Sequence, residues 1–305
     1  MNKRTLGKTG LNVTCLGFGA MEIGKLDLKD AETLLNEVLD QGITLIDSSP
    51  CYGRAEEYIG RAISHRRDEF VLATKCGCNV DENGCFLDKR DHIWTAAQLE
   101  KNIDQSLRLL RTDHIDIWQL HGIMPEYLQG GAEGEVLWAA EKIKRSGKVG
   151  HIAFSCRNGS PGQDLYPAGF GYEACKEMVS WGKFEAIQVV YGGLTRTNEH
   201  MIRRISDHGI GVICRGALKR YYPEYEEKAR QAGLEELFEA GENLNEFLLR
   251  FSLSHPQIGS VIVGTKDREH LRENVHAACR GALKSDIWEE AKRRLDAAGV
   301  TARED

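Results

Sequence analysis

The chain has 305 residues, 41% of them hydrophobic and 28% charged, with a formal net charge of −6. The length suits one large α/β domain of barrel size. The charges are mixed in sign and form no basic face or tail, which argues against a nucleic-acid partner, and no apolar run nears the roughly 20 residues of a membrane span. The first residues, "MNKRTLGKTGLNV", are basic but lack an apolar signal core, so a cytoplasmic protein with neither nucleic acid nor membrane as partner is expected. Nine cysteines are an odd number at scattered positions, as in a reduced, cytosolic protein. Cys76, Cys78 and Cys85 cluster, but C-x-C with a third cysteine seven residues on is not a zinc spacing, and no metal is expected.

Short apolar runs alternate with amphipathic segments along the whole chain. The runs are "VTCLGFG" (13–19), "ITLID" (43–47), "FVLATK" (70–75), "IDIWQLH" (115–121), "GHIAFS" (150–155), "EAIQVVY" (185–191), "GVICR" (211–215) and "SVIVG" (260–264). Several are continuously apolar, as strands buried on both faces are. Between them, "DAETLLNEVLDQG" places Leu34, Leu35, Val38 and Leu39 at helical spacing and stops at Gly42. "TAAQLEKNIDQSLRLL" opens with Thr95 and Gln98 at capping-box spacing. "EVLWAAEKIKRSG" carries its cations in the last turn before a glycine, and "NLNEFLLRFSLSHP" runs from an Asn243 cap to Pro256.

Eight strand–helix units predict a parallel sheet closed as a (β/α)8 TIM barrel, a single domain over 1–305 with one extra helix at about 285–299. An open doubly wound sheet is the alternative, since Gly17 and Gly19 follow a strand. The third glycine of the dinucleotide fingerprint is absent, however: Glu22 stands there.

Barrel chemistry gathers at the C-terminal strand ends. There the sequence places Asp47, with Tyr52 in the following loop, then Lys75, His121, Ser155, Gln188 and Arg215. Singly, each has an ordinary structural use: a lysine and an aspartate on neighbouring strands often form a plain ion pair. Together at three consecutive strand tips, Asp47, Tyr52, Lys75 and His121 make a proton-donating set. Tyrosine has a pKa near 10, a lysine cation beside it should lower that value, and the aspartate would hold the lysine. No side chain is a convincing nucleophile, so the attacking group is expected to be a hydride from a cofactor.

At these residues the sequence resembles the aldo-keto reductase family, over nearly the whole chain. The resemblance is carried by "LIDSSPCYG", "ATKCG", "SLRLLRTDHIDIWQLHG", "GKVGHIAFS", "AIQVVY" and "VIVGTKDREHLRENV". It implies NAD(P)(H)-dependent interconversion of a carbonyl and an alcohol. Tyr52 would be the general acid, tuned by Lys75 and Asp47, and His121 would orient the substrate. It also implies that Met21, Asp47, Ser155 and Gln188 hold the nicotinamide end and that Arg215, Gly216 and Leu218 lie over the pyrophosphate. Gly264, Thr265, Lys266, His270 and Asn274 would hold the adenosine end. Four positions depart from the family's habit: Cys156 and Gly192 replace asparagines, Arg215 replaces an aromatic ring, and His270 replaces an arginine. Cys51, Cys76 and Cys78, which flank catalytic positions, read as pocket wall.

NADP is the expected cofactor, with NAD also used, because Lys266, Arg268 and His270 follow the last strand; Arg268 and Arg272 are alternatively solvent-facing. The loops after strands three to five are polar, which suits a small hydroxylated carbonyl or polyol substrate such as a sugar. Two other classes compete. A non-catalytic nucleotide-binding or regulatory subunit has no reason to keep all four proton-transfer residues, and a metal-dependent hydrolase would need clustered ligands that the sequence does not show.

Overall fold

The apolar runs form the strands, and the amphipathic segments the helices between them, in a computed structural model that describes residues 1–87, 92–157, 171–218 and 225–303. The barrel strands are β3 (Leu16–Gly19), β4 (Leu45–Asp47), β5 (Val71–Cys76), β6 (Ile115–His121), β7 (Val149–Ser155), β8 (Ala186–Val190), β9 (Gly211–Arg215) and β10 (Ser260–Val263). Each pairs in parallel with the next, and β10 returns to pair with β3. That closure settles the choice between a barrel and an open sheet.

The first apolar run is not one strand. It breaks at Cys15, and its first part is β2 (Asn12–Thr14), which pairs antiparallel with β1 (Lys3–Thr5). The reading from sequence assigned no strand at β1. Its residues run exposed, half-buried, exposed, so it carries no apolar signal. The hairpin places Leu6 and Val13, both fully buried, against the interior side chains of the barrel.

The helices follow their capping chemistry. In α1 (Leu28–Asp40) the N-cap Asp27 accepts from the Asp30 amide at 2.8 Å. The next two are α2 (Ala55–Ile63) and α3 (Ala96–Leu110), the latter capped by Thr95, whose hydroxyl accepts from the Gln98 amide. Then come α4 (Glu135–Arg145), α5 (Tyr172–Ser180), α6 (Glu199–Asp207) and α7 (Tyr225–Gln231). Asn243 and Glu246 form a reciprocal capping box on α8 (Leu244–Leu253). α9 (Arg268–Arg280) follows β10, and α10 (Ser285–Ala297) is the expected extra helix. Buried Arg196 fastens α10 to the barrel, donating to Asp296 Oδ1 at 2.7 Å and to the Lys292 and Val300 carbonyls.

Inside the barrel, Leu45, Ala73, Ile117, Ala153, Ala186, Ile213 and Ile262 form one apolar layer. Side chains repeat every second residue along a strand. The inward positions one step nearer the C-terminal end are therefore Asp47, Lys75, Gln119, Ser155, Gln188, Arg215 and Gly264. A dry, closely packed floor thus carries a ring of polar groups above it.

Candidate active site

Asp47 is the hub of that ring. Lys75 Nζ donates to its Oδ2 at 2.6 Å, while Gln119 Nε2 and Gln188 Nε2 donate to its Oδ1 at 2.7 and 2.9 Å. Lys75 also donates to the Ser48 carbonyl at 2.8 Å. Both charges are essentially out of solvent. Burial works against the ammonium, but Asp47, joined by Tyr52 and Cys51, outweighs it and the Lys75 pKa rises above its ordinary value, so the amine stays charged. Ser155 Oγ donates to Gln188 Oε1 at 3.2 Å, which fixes the direction of that amide.

Tyr52 stands above this pair, its ring centroid 5.0 Å from Lys75 Nζ. The His121 ring lies edge-on to it at 6.2 Å. The four residues singled out from sequence therefore meet at one point. Their electrostatics differ from the expectation in one respect. Burial raises the Tyr52 pKa above the ordinary tyrosine value; Lys75 opposes the rise and Asp47 adds to it. The phenol is held as an acid rather than driven toward phenolate.

A cleft of about 440 Å³ opens beside Asp47 and Tyr52. Met21, Gln188, Arg215, Gly216, Leu218 and Gly264 line it, as do Glu22, Ala217, Ile262 and Val263, which the sequence reading passed over. Thr265, Lys266, His270 and Asn274 do not line it; they sit on the loop and helix that follow β10. The Thr265 hydroxyl is taken up by its own turn, accepting from the Asp267 amide at 3.0 Å. Arg268 and Arg272 do not face solvent alone. Both bind the Glu37 carboxylate on α1, Arg272 at 2.7 Å. Lys266 and His270 are exposed, and no described residue pairs with either.

A model of the Aldo/keto reductase family matches residues 15–294. The chain belongs to the aldo/keto reductase family. YqkF of Bacillus subtilis (strain 168), an uncharacterised oxidoreductase, is 29% identical over 91% of this chain and 91% of its own. L-Galactose dehydrogenase of Arabidopsis thaliana is 29% identical over 90% of this chain and 87% of its own. The holo form of the aldo-keto reductase AKR11C1 from Bacillus halodurans superposes with a TM-score of 0.82 at 26% identity, covering 100% of this chain and 99% of that one. The protein is therefore an oxidoreductase of a family that uses nicotinamide cofactors.

The cleft fits such a cofactor. Met21 is large and apolar yet 47% exposed at its rim, a surface that a flat ring would cover. At its edge, a Cβ on Gly264 would come 2.7 Å from the Gly19 carbonyl oxygen, so only glycine lets β10 and β3 end this close together. Two of the departures from the family's habit also have local reasons. A Cβ on Gly192 would meet the Ala217 carbonyl oxygen at 2.7 Å, which leaves no room for asparagine. Cys156 is buried, with its thiol on the Gly171 carbonyl at 3.2 Å. Arg215 Nη2 donates to the Cys156 carbonyl at 3.0 Å, joining the ends of β9 and β7 beside the cleft.

Two features were missed from sequence. Gln119 is the second amide on Asp47, and its signal was the i+2 pattern Ile115, Ile117, Gln119, His121 in "IDIWQLH". The other is a thiol cluster. Cys76, expected as pocket wall, faces the layer between sheet and helices instead, and Cys85 is exposed, away from the other two cysteines of its sequence cluster. Cys78 instead meets Cys51 at His121 Nδ1. The Cys51 thiol is drawn down to about 3 by the Cys78 hydrogen bond, against burial and with help from His121. Burial pushes Cys78 well above its ordinary value.

Proposed function

We propose that this protein reduces the carbonyl of a small hydroxylated substrate, an open-chain sugar or hydroxy-aldehyde, with NADPH, and runs the reverse oxidation of the matching alcohol. The observation that carries the reading is the meeting of Tyr52, Lys75, Asp47 and His121 beside a cleft of about 440 Å³ that Asp47 and Tyr52 line. The nicotinamide, when held between Met21, Gln188, Ser155 and Arg215, supplies the hydride. Tyr52 gives its proton to the carbonyl oxygen as negative charge develops there. Lys75 steadies the phenolate left behind, and Asp47 keeps Lys75 charged and in place. His121 orients the carbonyl oxygen toward Tyr52.

The preference for a hydroxylated substrate is supported by the polar loop 122–135 and by the likeness to L-galactose dehydrogenase, named for a sugar. Residues 88–91 and 158–170, in the polar loops after the third and fifth barrel strands, lie outside the described residues. NADP is favoured over NAD by Lys266 and His270, since Glu37 occupies both Arg268 and Arg272. NAD remains usable. Nine free cysteines suit a reducing cytoplasm, and no helix among the described residues is long and apolar enough to cross a membrane.

The test follows the loss of NADPH absorbance across a panel of sugars, hydroxy-aldehydes and bulky apolar ketones. Turnover should be fastest on the hydroxylated compounds. Apolar ketones outperforming all of them would overturn the substrate class. Cofactor binding without turnover on any substrate would favour a regulatory nucleotide-binding subunit.

A further inference from the structure

Beside Tyr52 stand two thiols and a hydroxyl that hydride and proton transfer do not use, gathered at the far ring nitrogen of His121. Ser49 Oγ lies 3.1 Å from Cys51 Sγ, 3.6 Å from Cys78 Sγ and 3.4 Å from His121 Nδ1. His121 Nδ1 lies 3.5 Å from Cys51 Sγ and 3.2 Å from Cys78 Sγ. The two sulfurs and the nitrogen all fall within 4.8 Å of one another. These are five edges of a tetrahedron, and the sixth, between the two sulfurs, is no longer than 4.8 Å. An ion bound at about 2.3 Å from sulfur and about 2.0–2.1 Å from nitrogen or oxygen spaces its tetrahedral ligands roughly 3.3–3.8 Å apart. The five edges that end on Ser49 Oγ or His121 Nδ1 lie within a few tenths of an ångström of that range. The fold makes the set by the same device as the catalytic ring. Ser49 and Cys51 come from the loop after β4, Cys78 from just beyond β5, and His121 from the tip of β6.

We propose that Cys51, Cys78 and His121 form a zinc-binding site, with Ser49 Oγ or a water held by it at the fourth corner. Two thiolates and an imidazole are ligands that select zinc over magnesium or calcium. Their two negative charges match the ion, which binds both sulfurs as thiolates. Coordination through Nδ1 fixes the His121 tautomer and leaves Nε2 as the nitrogen able to donate to a carbonyl oxygen. The site differs from the cluster that the sequence offered: Cys78 belongs to it, and Cys76 and Cys85 do not. It does not depend on the reductase reading, since the binding test reads no turnover.

The test is titration of the reduced, full-length protein with zinc in competition with a chromophoric chelator, with a phosphine as reductant. One equivalent should bind. Cys51→Ser and Cys78→Ser should each weaken it by at least about 10²-fold, the upper end of the loss from a merely supporting residue. Tyr52→Phe, beside the site but not in it, should still bind one equivalent. Cobalt in place of zinc should give thiolate charge-transfer bands and the strong visible bands of tetrahedral coordination in the wild type, and neither in the serine variants. Far-ultraviolet circular dichroism checks that the variants are folded. Zinc held equally by the serine variants would place it elsewhere, at exposed Cys85 or Cys279, and overturn the proposal. So would reduced wild type with no tighter binding than a variant carrying both Cys51→Ser and Cys78→Ser, or a Cys51–Cys78 disulfide forming with peroxide in a protein that takes up no metal.

Discussion

Burial and the Lys75 cation pull the Tyr52 phenol in opposite directions, and burial wins. A raised pKa keeps the proton on the phenol through neutral pH; in the proposed mechanism reduction consumes that form, whereas oxidation needs the phenolate. The kcat/KM of reduction should therefore stay level through neutral pH and fall only above the ordinary tyrosine value of about 10. The reverse reaction should rise with pH over the same span. A pH profile in which reduction loses its proton donor well below about 9 contradicts this. Tyr52→Phe should lower kcat by about 10²-fold or more and leave NADPH binding, read by fluorescence quenching, nearly unchanged because the ring remains. A variant that turns over at the wild-type rate would remove Tyr52 from the chemistry. The cofactor preference also lives at single residues. A charged hydrogen bond contributes roughly 1.5–3 kcal/mol, so Lys266→Ala should raise KM for NADPH by about ten- to a few-hundred-fold and spare that for NADH. Equal losses with both cofactors would mean that Lys266 does not meet the 2′-phosphate.

At the scale of elements, α2 is tied to β5 and α3 through one buried carboxyl. Glu56 on α2 accepts from Thr74 Oγ1 at 2.5 Å and from Ser106 Oγ at 3.0 and 3.1 Å. Burial dominates, and its pKa rises to about 7 against an ordinary 4.5. Unfolded, Glu56 ionises as pH climbs past 4.5; folded, it keeps its proton until about 7. Its contribution to stability is thus complete below 4.5 and is lost as pH rises through 7. The 2.5-unit gap corresponds to a loss of about 3 kcal/mol at 1.36 kcal/mol per unit. Glu56→Gln keeps the acceptor and removes the ionisation, so thermal melts should show it gaining on the wild type between pH 5 and pH 8. A constant difference in Tm across that range would show that Glu56 ionises alike in both states. The same side chain backs the strand that carries Lys75, which makes this junction a support of the site as well as of the fold.

For the whole molecule, the two ends of the barrel have separate jobs. The N-terminal mouth is closed by the β1–β2 hairpin through Leu6 and Val13; the C-terminal mouth carries the ring around Asp47. Leu6→Ala should cost about 2–5 kcal/mol by leaving a cavity under the apolar layer, seen as a lower Tm with KM for substrate and cofactor unmoved. A shift in KM as large as the loss of stability would mean that the two ends are mechanically coupled. Local chemistry written into the chain determined much of this architecture. Continuous apolar runs set the strands, caps such as Thr95 and Asn243 set the helix starts, and an acid, a phenol, a lysine and a histidine at successive strand tips marked the site. These signals are legible because each depends only on neighbours in sequence. The β1 strand escaped because three residues held by a hairpin need no apolar pattern. The pairing of Gln119 and Gln188 on Asp47, the capture of Arg268 and Arg272 by Glu37, and the meeting of Cys51, Cys78 and His121 were decided by the tertiary structure alone. Each brings together residues tens to hundreds of positions apart, and only the closure and register of the barrel fix which of them touch. The rise in the Tyr52 pKa has the same origin: sequence shows the lysine beside the phenol, but how deeply the phenol is buried is a property of the folded chain.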